Sequence, residues 1–359
     1  MHQKLIKFFN NESFYKKKKN YFTRFIFIIF FLQNIIIIIF IIFKFNIKID
    51  YNKNFKGILT FQNINTYNKK EMNLDYNYSF AIIKRNNCTN GLFGYYVAYL
   101  GCLNKFIKNG YIPILDLLSF PNIFNAFNKI QLNENPWELF FNQPFDFKLK
   151  DVINYSKKII YFNCNPKNRP DTNIYNNKML LNYWHNLAEK YIPIKKEIID
   201  EANKIRKYLF NNSINVLGIL IGGTDYISMK PKGHSIQPKP EVIIHDAKKM
   251  DKKNKYDFIF LTTEDDIIRN KFILELGNKL KFIKSNVNIK YNYKKKEYLA
   301  FNNKIKGNSD YIKIYLINII ILSKCIDIIC SRTAGSVGAF IFSNGFRNTR
   351  VYYLEDINN

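Results

Sequence analysis

Three short aliphatic runs, each ending abruptly in a polar cluster, set the tightest limit on how this chain can fold. Val216-Leu-Gly-Ile-Leu-Ile221 gives way to Gly222-Gly-Thr-Asp225, Asp257-Phe-Ile-Phe-Leu261 to Thr262-Thr-Glu-Asp-Asp266, and Cys325-Ile-Asp-Ile-Ile-Cys330 to Ser331-Arg-Thr-Ala-Gly-Ser336. Runs this short and this continuously apolar suit strands buried on both faces of a parallel sheet. In an open α/β sheet the carboxyl ends of the strands line one crevice, so three polar clusters far apart in sequence can converge there.

The segments between these runs alternate strand with helix. Upstream, Phe80–Ile83 reads as a strand, Asn90–Gly94 as a glycine-bearing turn, Tyr95–Lys108 as a helix and Gly110–Asp116 as a second strand. Asp116 at that strand end is either a site residue or a turn acid. Asn135–Pro144 is a short helix opened by Pro136, with Trp137, Phe140 and Phe141 as packing residues. Val152–Phe162 is expected to be a strand, and Lys195–Phe210 a helix leading into the second half. Downstream, helices are expected over Lys239–Lys249, Asn270–Gly277 and Tyr311–Ser323, a strand over Leu280–Ile283, and no regular pattern over Asn286–Asn308. The alternation predicts α/β architecture with parallel sheets.

A chain of 359 residues exceeds the size of one ordinary core. Residues 1–24 form a basic tail carrying Lys4, Lys7, Lys16 to Lys19 and Arg24 against one acid, Glu12. Residues 25–43, Phe25 to Phe43, are apolar apart from Gln33 and Asn34 and would rise roughly 28 Å as a helix, close to bilayer thickness. One transmembrane signal anchor is the expectation, with the N-terminus in the cytoplasm by charge bias and a single pass. Residues 44–79 read as a stem, 80–195 as a first α/β domain and 196–359 as a second.

Lys and Arg exceed Asp and Glu by 55 − 28 = 27, but the excess is spread along the chain, and no zinc-finger, basic-zipper or RNA-binding signature accompanies it. Nucleic acid is therefore set aside as a partner. Five scattered cysteines, Cys88, Cys102, Cys164, Cys325 and Cys330, make no disulfide framework and no paired metal ligands, so reduced buried thiols are expected. Four distant histidines add no metal motif.

The chemistry is expected at the three clusters. Hydroxyls of Ser331, Thr333 and Ser336, amides freed by Gly335 and a helix N-terminus favour phosphate oxygens, and Arg332 can add a guanidinium. Glu264, Asp265 and Asp266 can accept bonds from a ribose or act as general base toward a hydroxyl, or serve only as helix caps. His234 and Gln237 lie in an irregular loop, Lys232–Pro238, long enough to touch a substrate.

The order VLGILIGGTDY, KGHSIQP, FLTTEDD and IICSRTAGSVGA resembles the bacterial fucosyltransferase-like glycosyltransferases, relatives of nodulation-type and core α1,6-fucosyltransferases. GLFGYYVAYLGCLNKFIKNGYIPILD and NPWELFFNQP are similar to the acceptor-side half of that group. The resemblance covers roughly residues 80 to 345. It implies a GT-B-like fold of two Rossmann-like domains, a nucleotide-sugar donor such as GDP-fucose as substrate with no separate cofactor, no required metal, inversion at the anomeric carbon, and a glycan or lipid-linked saccharide as acceptor. Gly223, Thr224 and Asp225 match the first motif, His234 and Gln237 its downstream loop, Glu264 and Asp265 the second, and Thr333, Gly335, Ser336 and Val337 the third. The family's diphosphate-holding arginine falls on Gly222, and a histidine found in some relatives falls on Leu220. A binding protein that keeps the fold without turnover, or a transferase using another nucleotide sugar, are the alternatives this leaves open.

Overall fold

The computed structural model describes residues 78–85, 91–120, 122–124, 134–167, 169–222, 237–284 and 308–353. All of them fall within one unit, Asn68–Asn359. The expected membrane span at 25–43 lies outside the described residues. Among the described residues no helix is long and apolar enough to cross a bilayer.

Two parallel sheets organise the chain. The first holds β1 (Phe80–Lys84), β2 (Ile112–Leu115) and β3 (Ile159–Asn163) in the order β2-β1-β3. Helix α1 (Leu92–Lys108) makes the crossover from β1 to β2. Its middle is apolar on every side, and Leu92, Phe93, Tyr95 to Cys102, Leu103 and Phe106 are all buried. Two short 3₁₀ turns, Pro136–Leu139 and Pro144–Asp146, follow, each opened by its proline. They carry the expected packing residues: Trp137 and Phe141 stack at 4.4 Å, and Trp137 is fully buried.

The second sheet holds β4 (Val216–Leu220), β5 (Phe258–Thr262), β6 (Leu280–Lys281), β7 (Asp327–Ser331) and β8 (Asn348–Tyr352) in the order β6-β5-β4-β7-β8. All its pairings are parallel, with Leu220 opposite both Thr262 and Cys330. Helices α5 (Pro240–Asn254) and α6 (Asp266–Leu276) cover one face, where Leu217, Ile219, Ile221, Ile259, Leu261 and Ile329 pack with Ile243, Ile268 and Phe272. The other face is covered by α4 (Lys196–Phe210) and α7 (Ser309–Ser323), and α8 (Ala334–Ser343) packs on α7. A β-carbon on Gly218, in the middle of β4, would lie 2.5 Å from Leu322 of α7, so the glycine admits that helix to the strand.

Val216, Leu220, Phe260, Ile328 and Cys330 on this second face share one continuous hydrophobic cluster with Ala81, Ile83 and Leu115 of the first sheet. Helix α3 (Lys178–Tyr191) and α1 complete it, with Phe93 of α1 meeting Phe342 of α8 edge to face at 5.7 Å.

Several expectations need correction. Val152–Phe162 is not one strand. Helix α2 (Leu149–Tyr155) occupies its first part, burying Leu149 and Val152, and only Ile159–Asn163 pairs as β3. β8 was not foreseen; its first three residues, Asn348, Thr349 and Arg350, are exposed at the sheet edge and carry no apolar signal. The cysteines are not all reduced either: Cys102 of α1 and Cys164, just past β3, form a disulfide, while Cys325 and Cys330 are free and buried. Burial pushes both free thiols up to about 12, which keeps them protonated and unreactive. Cys88 lies outside the described residues.

Candidate functional site

The second sheet runs outward from β4, first through β5 and β6 on one side and then through β7 and β8 on the other. The order therefore reverses between β4 and β7, and the crevice at their carboxyl ends is where such sheets bind ligands. Gly222 closes the β4 side of that crevice and Thr333 the β7 side. A β-carbon on Gly222 would come to 3.6 Å from the Thr333 methyl, an ordinary contact.

Gly223, Thr224, Asp225 and His234 lie outside the described residues, whereas the other candidate residues can be placed. Ser336 and Thr333 form a reciprocal cap at the start of α8: Thr333 Oγ1 accepts from Ser336 N at 3.1 Å, and Ser336 Oγ accepts from Thr333 N at 2.9 Å. Ser336 is fully buried and also bonds the Ser331 carbonyl and the Tyr175 hydroxyl, each at 2.8 Å. Both hydroxyls are thus spent on the helix rather than held open for phosphate. Gly335 answers to packing too, because a β-carbon there would overlap the Tyr315 hydroxyl. Val337 is buried in the shared core. Arg332, one residue beyond β7, is exposed.

The acidic cluster divides in the same way. Asp265 is buried and caps α6, its Oδ1 accepting from Ile267 N at 2.7 Å and Ile268 N at 3.2 Å. Asp266 pairs with Arg269 one turn on. Glu264 is half-buried between them and β5. Asp116 is likewise a turn acid, with Oδ1 accepting from Leu118 N at 2.7 Å and Ser119 N at 3.0 Å.

Among the buried polar atoms left without a partner, which include the indole nitrogens of Trp137 and Trp184, three residues belong to the second sheet and the segment that follows β4. Gln237, just before α5, is 6% exposed, and neither its Nε2 nor its Oε1 has a hydrogen-bond partner. Thr262 Oγ1 at the end of β5 and Ser331 Oγ at the end of β7 are also buried and unpartnered. A buried polar atom without a partner costs about 1–3 kcal/mol, and native structures hold few of them. Here two stand at carboxyl strand ends of one sheet, beside the point where strand order reverses, and the third opens the helix that follows β4. Sequence reasoning gave Gln237 and Ser331 a role of their own, whereas Thr262 was read only as the first residue of the polar cluster that ends β5. Among the described residues no group of three or more His, Cys, Asp or Glu could hold a metal ion.

Fold and site together define an α/β protein with a polar-ligand crevice at the carboxyl ends of its second parallel sheet. No protein-family model matches the chain, and no curated protein does. Among solved structures it is similar to the NodZ alpha-1,6-fucosyltransferase soaked with GDP-fucose, at 13% identity and a TM-score of 0.41, covering 74% of this chain and 92% of that one. It is similar also to the fucosyltransferase NodZ from Bradyrhizobium, at 13% identity and a TM-score of 0.41 over 73% and 92% of the two chains. POFUT1 in complex with GDP-fucose is similar at 7% identity and a TM-score of 0.44, over 78% and 99%. The chain thus resembles fucosyltransferases of known structure. At these identities and scores no residue role passes from them to this chain.

Proposed function

We propose that the chain is a glycosyltransferase that takes a nucleotide-sugar donor, GDP-fucose in the first instance, at the carboxyl ends of β4, β5 and β7 and transfers the sugar to a glycan hydroxyl. The observation that carries the reading is the set of unpartnered buried groups on Gln237, Thr262 and Ser331, which offers hydrogen bonds to a polar ligand where α/β sheets bind one. The motif order from Val216 to Val337 supplies the donor class by resemblance. In this reading Glu264 is the favoured general base, since Asp265 Oδ1 is engaged by two amides of α6. Transfer would be a single displacement: the acceptor hydroxyl oxygen attacks the anomeric carbon, its proton passes to the carboxylate, and the bond to the diphosphate oxygen breaks with inversion. In this reading Arg332 meets the developing negative charge on that diphosphate.

The proposal includes a membrane anchor at 25–43 and a catalytic unit on the far side of the membrane from the basic tail. The Cys102–Cys164 disulfide supports that side, because such bonds persist in oxidising compartments.

Gly222 favours a second reading, a donor-binding protein without turnover. The two are separated by titrating the detergent-solubilised full chain with GDP-fucose and assaying donor hydrolysis and transfer, for the natural protein and for Gly222→Arg. The crevice has room for the arginine's β-carbon beside Thr333. Turnover by the natural chain establishes the enzyme. Binding without turnover until Gly222→Arg is introduced establishes the silent form, and absence of binding by either protein sinks both.

A further inference from the structure

Between Ile153 and Tyr161 four large apolar side chains are exposed: Ile153, Tyr155, Ile160 and Tyr161. They run from the end of α2 into β3, so the chain itself holds them side by side. β3 is an outer strand of its sheet and pairs with β1 alone. The other two strands, β1 and β2, are buried along almost their whole length.

Lysines frame this stretch. Lys157 and Lys158 interrupt it, and Lys148 and Lys150 are exposed at the start of α2, against the acids Asp146 and Asp151 nearby. On the α1 side of β3, Lys105 Nζ lies 4.9 Å from the centre of the Phe162 ring, which packs edge to face on Phe106. Lysines alone would guard an edge strand against pairing with another strand. Lysines interleaved with exposed isoleucine and tyrosine suit a bilayer surface instead, where the amphipathic tyrosine ring sits at headgroup level and each ammonium meets lipid phosphate.

The chain also enters the fold at this edge. Phe80 N donates to the Lys158 carbonyl at 2.9 Å, and the Phe80 ring meets Phe147, the neighbour of Lys148, at 5.2 Å. Tyr78, two residues earlier, meets the same ring at 6.4 Å. Everything before Tyr78, including the anchor proposed at 25–43, therefore reaches the fold beside Lys148 and Lys158.

We infer that the edge of β3, with the end of α2, is a docking surface for an anionic membrane. Ile153, Tyr155, Ile160 and Tyr161 enter the headgroup layer, and Lys157 and Lys158 pair with lipid phosphates. Among the described residues no strand pairs with the outer edge of β3. Its backbone groups need water or headgroups, which the hydrocarbon interior does not supply, so the seating is shallow. The inference rests on the proposed anchor only for bringing this edge to a bilayer.

Fluorescence of the full chain carrying Tyr161→Trp, reconstituted into vesicles, tests the surface. The vesicles are phosphatidylcholine alone or phosphatidylcholine with phosphatidylglycerol, each made with and without brominated acyl chains. Trp137 and Trp184 are buried, and the natural chain supplies their background. Brominated lipid should quench the added indole about twofold in the anionic vesicles, and the quenching should fall away in high salt and in the Lys157→Glu, Lys158→Glu double variant. Tyr155→Trp, at a side chain 61% exposed, gives the same reading from α2 if the strand does not tolerate the first change. Quenching no greater than that of the natural chain, equal quenching without phosphatidylglycerol, or indifference to the lysine changes overturns the proposal. An emission shift that grows with protein per vesicle and ignores bromine assigns the edge to a second copy of the chain, and overturns it too. An alkaline carbonate wash reads the anchor separately. A chain quenched beforehand but released by the wash sinks the anchor and leaves this surface standing, whereas a retained chain without quenching keeps the anchor and sinks the surface.

Discussion

Phe93 fills the space that a β-carbon on Gly338 would need, so a helix from the first half of the chain lies directly against the backbone of a helix from the second. The ring is itself held by Tyr315 and Phe342, both edge-on at 5.7 Å, and has no easy way to retreat. Gly338→Ala is expected to destabilise the protein by about 1–3 kcal/mol through overpacking, even though alanine is the better helix former. Thermal unfolding checks this, and adding Phe93→Leu should recover part of the loss by opening room.

Asp327 ties β7 to the chain on either side of it. Fully buried, it accepts from Arg347 Nε at 3.0 Å and Nη2 at 2.6 Å, from Asn348 N at 2.9 Å, and from the Tyr256 hydroxyl. Burial alone would raise its pKa, but Arg347, Tyr256 and Asn348 together hold the carboxyl below the ordinary value. A folded pKa below the unfolded one gives stability that is present above the ordinary carboxylate range and lost as pH falls through the folded value. Asp327→Asn should therefore cost about 1–3 kcal/mol at pH 7, since the Arg347 left behind is half-exposed, and progressively less in acid. Urea midpoints of the two proteins at pH 7 and pH 3 measure the narrowing.

The unpartnered groups in the crevice predict a trade between stability and binding. Thr262→Val and Ser331→Ala each remove a buried hydroxyl that no protein atom satisfies, so each should raise stability by about 1 kcal/mol or leave it unchanged. Under the proposed function the same changes should weaken GDP-fucose about tenfold, the equivalent of 1.4 kcal/mol. Melting temperature and a binding isotherm on the same samples suffice; lower stability with unchanged affinity would mean the hydroxyls serve the fold.

Reduction offers a third handle on stability. Cys102 and Cys164 are 62 residues apart, and closing a loop of that length restrains the unfolded chain by about 2–4 kcal/mol. Cys102→Ala with Cys164→Ala should lower the melting temperature and make it insensitive to dithiothreitol, whereas the natural protein should fall toward the variant as reductant is added.

Three strands of the second sheet, β4, β5 and β7, were legible because each is a buried run with a sharp polar end: Val216, Phe258 and Asp327 begin elements within two residues of where the aliphatic pattern starts. Ile159 to Asn163 was harder. It is mostly exposed, and the preceding Leu149 to Tyr155 shows too short an apolar stripe to announce a helix. At the site, sequence supplied residue types but not whose hydrogen bonds were already taken. Thr333 and Ser336 read as a phosphate cradle until the reciprocal cap is seen, while Thr262 reads as one more member of a polar cluster until its hydroxyl is found alone. Whether a polar group is satisfied depends on partners such as Tyr175, 161 positions away from Ser336, and no local pattern records them.

That long-range bond also bears on motion. Tyr175 reaches from the first half into the base of α8, in a place where burial holds its hydroxyl far above the ordinary phenol value, and its ring meets Phe340 at 4.6 Å. Swinging the two sheets apart as rigid bodies would strip this hydroxyl of its partner and open the shared hydrophobic cluster in one step. An opening of that kind would cost the fold its shared core, so under the proposed function turnover should proceed without a hinge motion of the two sheets.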